Sequence, residues 1–362
     1  MLLLNNDDVK NVLDMELTIN ALEEAYRELF VSKAVCRPHV QIHIPTSDPA
    51  KMYRWGTMEG GSSVSGYFAI RMKSDITYEQ EYAGVKTEEK YCLRPGLFCG
   101  LILLINVQNG EPLALMHDGY LQHLRVGADA AIGVKHMARE DSKTIGMIGS
   151  GGMARTYTEA IALVRAVKKI QVYSPTKSHR EEFAREISHK LNIEVNPVEE
   201  PRKVFDGADI VAGCTDSSVP VIPGKWLQKG MHIVNVAGGL DEEGLHRVDV
   251  ALRFGTAPAP VGLPEFRLHD EAIKYAALPE QGRPRLKRSH GVVGEKRVVF
   301  LEDLLSGRSQ GRTSSEEITY SARGNLQGVQ FYSVAGKVYE RAREKGLGRE
   351  IPTEWLLQDI RD

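Results

Sequence analysis

Thr144-Ile145-Gly146-Met147-Ile148-Gly149-Ser150-Gly151-Gly152-Met153-Ala154 is the stretch on which the fold turns. A short apolar run of strand character enters Gly149-x-Gly151-x-x-Ala154, and an amphipathic helical pattern leaves it, running from Ala154 to Val167. Each small residue meets a separate demand. Gly149 permits the tight turn, Gly151 lets backbone approach a pyrophosphate, and Ala154 allows close packing of helix on sheet. The unpaired N–H groups of the helix start, with Ser150, Gly152 and Met153 beside them, would receive the phosphate charge.

Downstream, strand-like and helical patterns alternate: Lys169 to Tyr173, Ser178 to His189, Ile210 to Ala212, Ile233 to Val236. That alternation is the mark of βαβ units around a parallel sheet, and it predicts an α/β, Rossmann-type dinucleotide-binding fold. The end of the second strand bears on the cofactor. An NAD site usually presents an acid there for the ribose 2′-hydroxyl. This chain has Tyr173-Ser174-Pro175-Thr176-Lys177-Ser178-His179-Arg180 instead. Ser174, Thr176, Lys177 and Arg180 offer donors and positive charge to a 2′-phosphate, so NADP is the expected cofactor, with NAD the alternative. Farther on, Cys214-Thr215-Asp216 ends a strand at the sheet's carboxyl edge, where Thr215 and Asp216 are candidates for contact with nicotinamide or substrate. Asn235-Val236-Ala237-Gly238-Gly239 repeats the strand-then-glycine pattern, and Gly238 would admit a ligand close to backbone or make a tight turn.

The N-terminal third reads differently. Asp14 caps a helical pattern through Leu29, Val35 to Ile44 is extended, and Gly56 to Gly66, rich in glycine and serine, reads as a loop. Tyr67 to Met72 and Leu101 to Val107 are strand-like, and Asn109-Gly110 marks a hairpin to Glu111–Met116. Leu121 to Arg139 is a long connecting helix, and Gly328 to Gly346 is a second. Pro258, Pro260 and Pro264 make residues 256–264 non-regular, and the basic stretch between Pro279 and Gly294 reads as a solvated loop.

In 362 residues, 46 Lys plus Arg face 48 Asp plus Glu, a net charge of -2 that gives no support to a nucleic-acid surface. No apolar run approaches the roughly 20 residues of a membrane span, and the start of the chain lacks the basic and cleavage features of a signal peptide. Four scattered cysteines, Cys36, Cys92, Cys99 and Cys214, do not form a disulfide framework, and a cytoplasmic location is expected. Metal-ligand spacing is absent: His39 and His43 share a strand face but lack partners, and no metal is expected. Three arginines sit where ordinary surface placement is doubtful: Arg37 before Pro38, Arg71 inside the apolar Tyr67-Phe68-Ala69-Ile70-Arg71-Met72, and Arg125 in Leu124-Arg125-Val126-Gly127-Ala128. Guanidinium groups suit a small carboxylate held against a nicotinamide, although an arginine so placed is, taken alone, more often a structural ion-pair residue.

These motifs together resemble the ornithine cyclodeaminase and mu-crystallin family. The glycine turn is similar to its cofactor loop, Leu124 to Ala128 to its arginine motif, Asn235 to Gly239 to its late strand, and Gly311-Arg312 with Glu317-Ile318-Thr319 to its closing segment. The resemblance implies a discontinuous α+β substrate-binding and dimerisation domain, residues 1–125 with 325–362, beside a Rossmann domain over 126–324, in a homodimer. It implies interconversion of amine and imine by hydride transfer, with Arg37 and Arg125 on the carboxylate of a small amino or imino acid. Two departures stand out. Where the family has a catalytic lysine this chain has Arg71, a poor acid–base group, with Lys73 two residues later as the replacement candidate. Where cyclodeaminases carry Asp directly after the glycine pair, this chain has Leu240 and then Asp241. Arg54 and Glu59, in an unusual segment from Met52 to Gly61, are further candidates for a polar substrate. The expectation is an NAD(P)-dependent imine reductase or amino-acid dehydrogenase; a cyclodeaminase-type lyase and a cofactor-dependent binding protein of crystallin type are the alternatives.

Overall fold

The structure, a computed structural model, describes residues 1–82, 85–255, 272–276, 297–322 and 324–360. The proline-rich and basic stretches between 256 and 294 fall almost entirely outside these.

Two sheets organise the chain. The eight-stranded sheet is parallel throughout, in the order Glu194–Pro197, Lys169–Tyr173, Thr144–Ile148, Ile210–Cys214, His232–Ala237, Thr319–Ala322, Val250–Arg253, Arg297–Phe300. The central strands are buried on both faces and read as near-continuous Ile, Val and Ala, as covered parallel strands must. Strand order reverses beside Thr144–Ile148, and the glycine turn leaves from that point, where open α/β sheets place their ligands.

The ten-stranded sheet is mixed and drawn from distant parts of the chain. Its spine is His39–Pro45, Lys51–Ser62, Tyr67–Tyr82, Cys99–Asn106 and Pro112–His117, antiparallel in sequence, with Leu2–Leu4 and Arg349–Glu350 closing one edge and Ala272–Ala276 the other. Ala34–Cys36 and Val85–Tyr91 add short ladders to Lys51–Ser62 and Tyr67–Tyr82. Helices Met15–Phe30 and Gln327–Glu344 cover one face, burying Leu22, Tyr26, Ile102, Leu104, Phe331 and Tyr332. Asp14 caps the first of these helices by accepting from the Leu17 N–H at 2.7 Å. Helix Gly119–Met137 connects the two sheets and is buried along most of its length.

The Gly56–Gly66 stretch, expected as a loop, is for the most part the strand Lys51–Ser62. The glycines within the strand answer crowding, while Gly66 beyond it takes φ +76° in the following turn. A Cβ on Gly60 would lie 2.7 Å from the Gly328 backbone, and one on Gly61 would lie 2.7 Å from the Phe68 ring. Glycine here lets a helix settle on the sheet. Val35 to Ile44 is extended as expected but interrupted at Arg37-Pro38, between two strands.

Candidate active site

At the turn, Gly149 has φ +108°, and a Cβ on it would stand 1.9 Å from the Cys214 carbonyl oxygen. Only glycine fits. Nothing lies within 4 Å of where a Cβ of Gly151 would be, so the backbone there borders open space at the start of helix Gly152–Val164. Ala154 is fully buried and Ser150 nearly so, while Met153 is half-buried. An open cradle against free first-turn N–H groups fits a pyrophosphate.

Along the neighbouring strand end, no carboxylate stands between Tyr173 and Arg180. Ser174 is buried, and Thr176 precedes helix Lys177–Leu191. Arg180 is turned inward: its guanidinium donates to the Ser174 carbonyl at 3.0 Å and so stiffens the loop. Lys177 points to solvent, 3.7 Å from Glu181. Just past strand Ile210–Cys214, the Thr215 hydroxyl accepts from the Ser217 N–H at 3.0 Å, and Asp216 is exposed. Gly238 has φ +59°, and a Cβ there would meet the Thr215 methyl at 2.8 Å, so the two candidate loops touch. Asp241 is committed elsewhere. It caps helix Glu242–Arg247, accepting from the Gly244 N–H at 2.7 Å and the Gly224 N–H at 2.8 Å, while Leu240 is buried.

Strand alternation puts Arg71, Lys73 and Asp75 on one face of the ten-stranded sheet. Arg71 is buried and donates through Nε to Asp118 at 2.7 Å. Asp118 in turn rests on Gly100, where a Cβ would stand 2.1 Å from the carboxylate. Arg125, also buried, donates to Gln122 at 2.8 Å and to Gln330 at 2.7 Å. Gln330 donates to the Tyr26 hydroxyl at 2.7 Å, and that hydroxyl donates to Asp129 at 2.5 Å. Both guanidinium groups flank a single ring: Phe331 lies 5.6 Å from Arg71 and 4.9 Å from Arg125.

Lys73 pairs across the strands with Gly56 on one side and Gly100 on the other, so its stem has room to lie along the sheet. Its ammonium is 3.2 Å from Asp75. Asp75 is also 3.5 Å from Arg54, which reaches Glu88 at 2.7 Å. Burial pushes the Lys73 ammonium down to about 7, Arg54 and Arg71 push the same way, and Asp75 opposes them. That range suits proton transfer near neutrality. Arg37 is not brought to this group. It donates to Glu59 at 2.7 Å and to Thr57 at 3.3 Å, and those residues alternate to the opposite face from Gly56 and Met58.

The two sheets meet around this cluster. His123, two residues before Arg125, lies against the glycine turn, 2.8 Å from where a Cβ of Gly152 would be. Thr87, on the arm that carries Glu88, bridges to Ser217 beside the Thr215 loop. Asp75 could have been found from the strand period alone, two residues past Lys73. Asp118 had a weaker signal in Asp118-Gly119 ahead of the arginine helix. Gln330 and Phe331 had none, because they arrive on a helix some 200 residues distant.

The sequence model of the ornithine cyclodeaminase/mu-crystallin family matches residues 77–346. Over 258 residues, 70% of this chain and 74% of the relative, the sequence is 32% identical to a Delta(1)-pyrroline-2-carboxylate reductase of Bacillus cereus. It is 27% identical to an alanine dehydrogenase of Archaeoglobus fulgidus over 97% of this chain and 98% of that one. Among solved structures, the Thermococcus litoralis Delta(1)-pyrroline-2-carboxylate reductase in complex with NADH and L-proline superposes with a TM-score of 0.72, at 26% identity, over 97% of this chain and all of that one. With a family match over more than half its length, this chain belongs to the ornithine cyclodeaminase/mu-crystallin family.

Proposed function

We propose that this protein is an NAD(P)-dependent oxidoreductase that interconverts a small 2-imino carboxylate and the corresponding amine. The observation that carries this reading is the pair Arg71 and Arg125 against one Phe331 ring, with a depressed lysine, Lys73, two residues along the same strand. Arg125 is the principal carboxylate ligand: it is buried and oriented by contacts that include the amide oxygens of Gln122 and Gln330 and the face of Phe331, and its planar fork suits a carboxylate. Arg71, braced by Asp118, supplies positive potential. Lys73 gives the imine nitrogen its proton. A bound dinucleotide would supply the hydride, its pyrophosphate held by Gly149, Ser150, Gly151 and Gly152. Thr215, Asp216 and Gly238 border its nicotinamide end. Residues 1–125 with 325–362 form the substrate side and 126–324 the cofactor side, except that Ala272–Ala276 adds an edge strand to the substrate-side sheet beside His39–Pro45. Unbridged cysteines suit the reducing cytoplasm.

The relatives with this activity support the reading, and the engaged Asp241 weighs against cyclodeaminase chemistry. The test is NADPH oxidation across 2-oxo acids with ammonia or methylamine, and across cyclic imines bearing a carboxylate. Turnover with at least one class is expected. Cofactor binding without oxidation of any member would reject the enzyme reading, and ammonia release from ornithine without net NADPH loss would replace it with the lyase.

For the cofactor, we favour NADP: Lys177 stands free of a carboxylate-bearing strand end and only loosely engages Glu181. Lys177→Glu should weaken NADPH about tenfold or more, a charge contact of ~1.5–3 kcal/mol, while leaving NADH nearly unchanged. Fluorescence titration with both nucleotides measures this; equal losses for the two would point to NAD. The outer face of the ten-stranded sheet exposes or half-exposes Ile42, Ile44, Trp55, Ile70, Leu101 and Leu103. An apolar sheet face of this kind is a pairing surface, and we take it to form a homodimer. Light scattering should give twice the chain mass, and a monomer at micromolar concentration would refute it.

A further inference from the structure

One buried polar group on the catalytic face has no part in the scheme above. His39 is 8% exposed, and its Nε2 has no hydrogen-bond partner among the described residues. Buried polar atoms are seldom left so. The strand register directs it: Nε2 lies 2.9 Å from the point a Cβ of Gly56 would occupy, and the Lys73 Cε lies 2.7 Å from that same point. Glycine at 56 therefore leaves space over the strand that the imidazole edge and the end of the lysine share. Burial holds the imidazole well below its ordinary range, as do Lys73, Arg71, Arg54 and Arg125, so the ring is neutral and presents one acceptor nitrogen.

We propose that His39 is a positioning residue for Lys73, its neutral imidazole accepting a hydrogen bond from the ε-ammonium when that group leaves Asp75 to face the substrate. The inference rests on Lys73 as proton donor. In the step concerned, the proton passes from the ε-ammonium to the imine nitrogen and hydride from the reduced nicotinamide completes the C–H bond. His39 keeps its own proton throughout. Without the acceptor, the ammonium would leave Asp75 with no partner and lose its proton more readily.

The experiment is the pH profile of kcat for imine reduction, with substrate saturating, in the wild type, His39→Leu, His39→Gln and Gly56→Ala. Arg71 and Asp75 on the same strand, Arg54 beside them, Glu88 and Lys90 on the Val85–Tyr91 arm and Arg125 on its helix stay in place in every variant. Activity should fall on the alkaline side as Lys73 deprotonates. In His39→Leu that limb should move to lower pH by about one unit. His39→Gln, which retains an acceptor near the Nε2 position, should keep the limb where the wild type has it. Gly56→Ala, whose methyl would push the lysine end and the imidazole edge apart, should move it as the leucine does. A limb unmoved in His39→Leu, or moved equally by glutamine and leucine, overturns the proposal. If the leucine variant does not fold, an unmoved limb in Gly56→Ala overturns it. An alkaline limb that persists in Lys73→Met means that the donor was misassigned, a separate failure.

Discussion

Replacing Lys73 by methionine should lower kcat for imine reduction by about two to four orders of magnitude, the usual worth of a positioned acid. KM for the substrate should change little, because the carboxylate contacts are proposed for the arginines. The sign of the pH dependence follows from the chemistry. Reduction needs the ammonium form; burial has brought that group down to about 7, so the protonated fraction falls as pH rises through neutrality. Wild-type reduction should therefore decline above about pH 7, while oxidation of the amine, which needs the free base, should gain over the same interval. Methionine keeps the length and packing of the stem between Gly56 and Gly100, so the variant should fold. Steady-state kinetics from pH 5.5 to 9.5, as an approximate working span, would show a flat residual rate in the variant. A variant retaining more than about a tenth of the wild-type kcat, with its alkaline limb intact, would return the donor role to water or another group.

How much of this could be read beforehand depended on the range of the interactions concerned. The glycine turn is local: a strand, a steric need at Gly149 and a helix start follow one another within a dozen residues, and the pattern carried the parallel sheet with it. The N-terminal sheet is assembled from segments far apart in the chain. Its glycines looked like a loop because the reason for them, the Gly328 backbone and the Lys73 stem, comes from elsewhere. The same distance effect governs the arginines. Arg71 and Arg125 were identifiable as cations in apolar company, but their convergence on Phe331 is a property of the last helix. Arg37 had the same signal and a different fate, since the interruption at Pro38 lets it engage Glu59 on the other face. Arg180 read as a cofactor contact from charge alone, and its hydrogen bond to the Ser174 carbonyl is a local feature that composition does not announce.

Arg125→Ala should reduce kcat/KM by about two to three orders of magnitude, chiefly through KM for acid substrates. The guanidinium is buried, and Gln122, Gln330 and the face of Phe331 are among the side chains that orient it. A charged group so held and matched to a carboxylate contributes geometry and Coulomb energy together, and truncating such a pair typically costs about 2–5 kcal/mol. The loss should be specific. A cyclic imine without a carboxylate should be turned over by wild type and variant at similar efficiency, because the arginine has nothing to grip in it. Arg125→Lys should recover only part of the loss, since a point charge cannot reproduce the fork. Cofactor affinity should stay near the wild-type value, and Tm should fall modestly because Gln122 and Gln330 lose their shared donor. If the alanine variant handled carboxylate and carboxylate-free imines with equal, undiminished efficiency, the anion would have to be held elsewhere on the sheet, and Arg71 with Asp118 would be the next place to look.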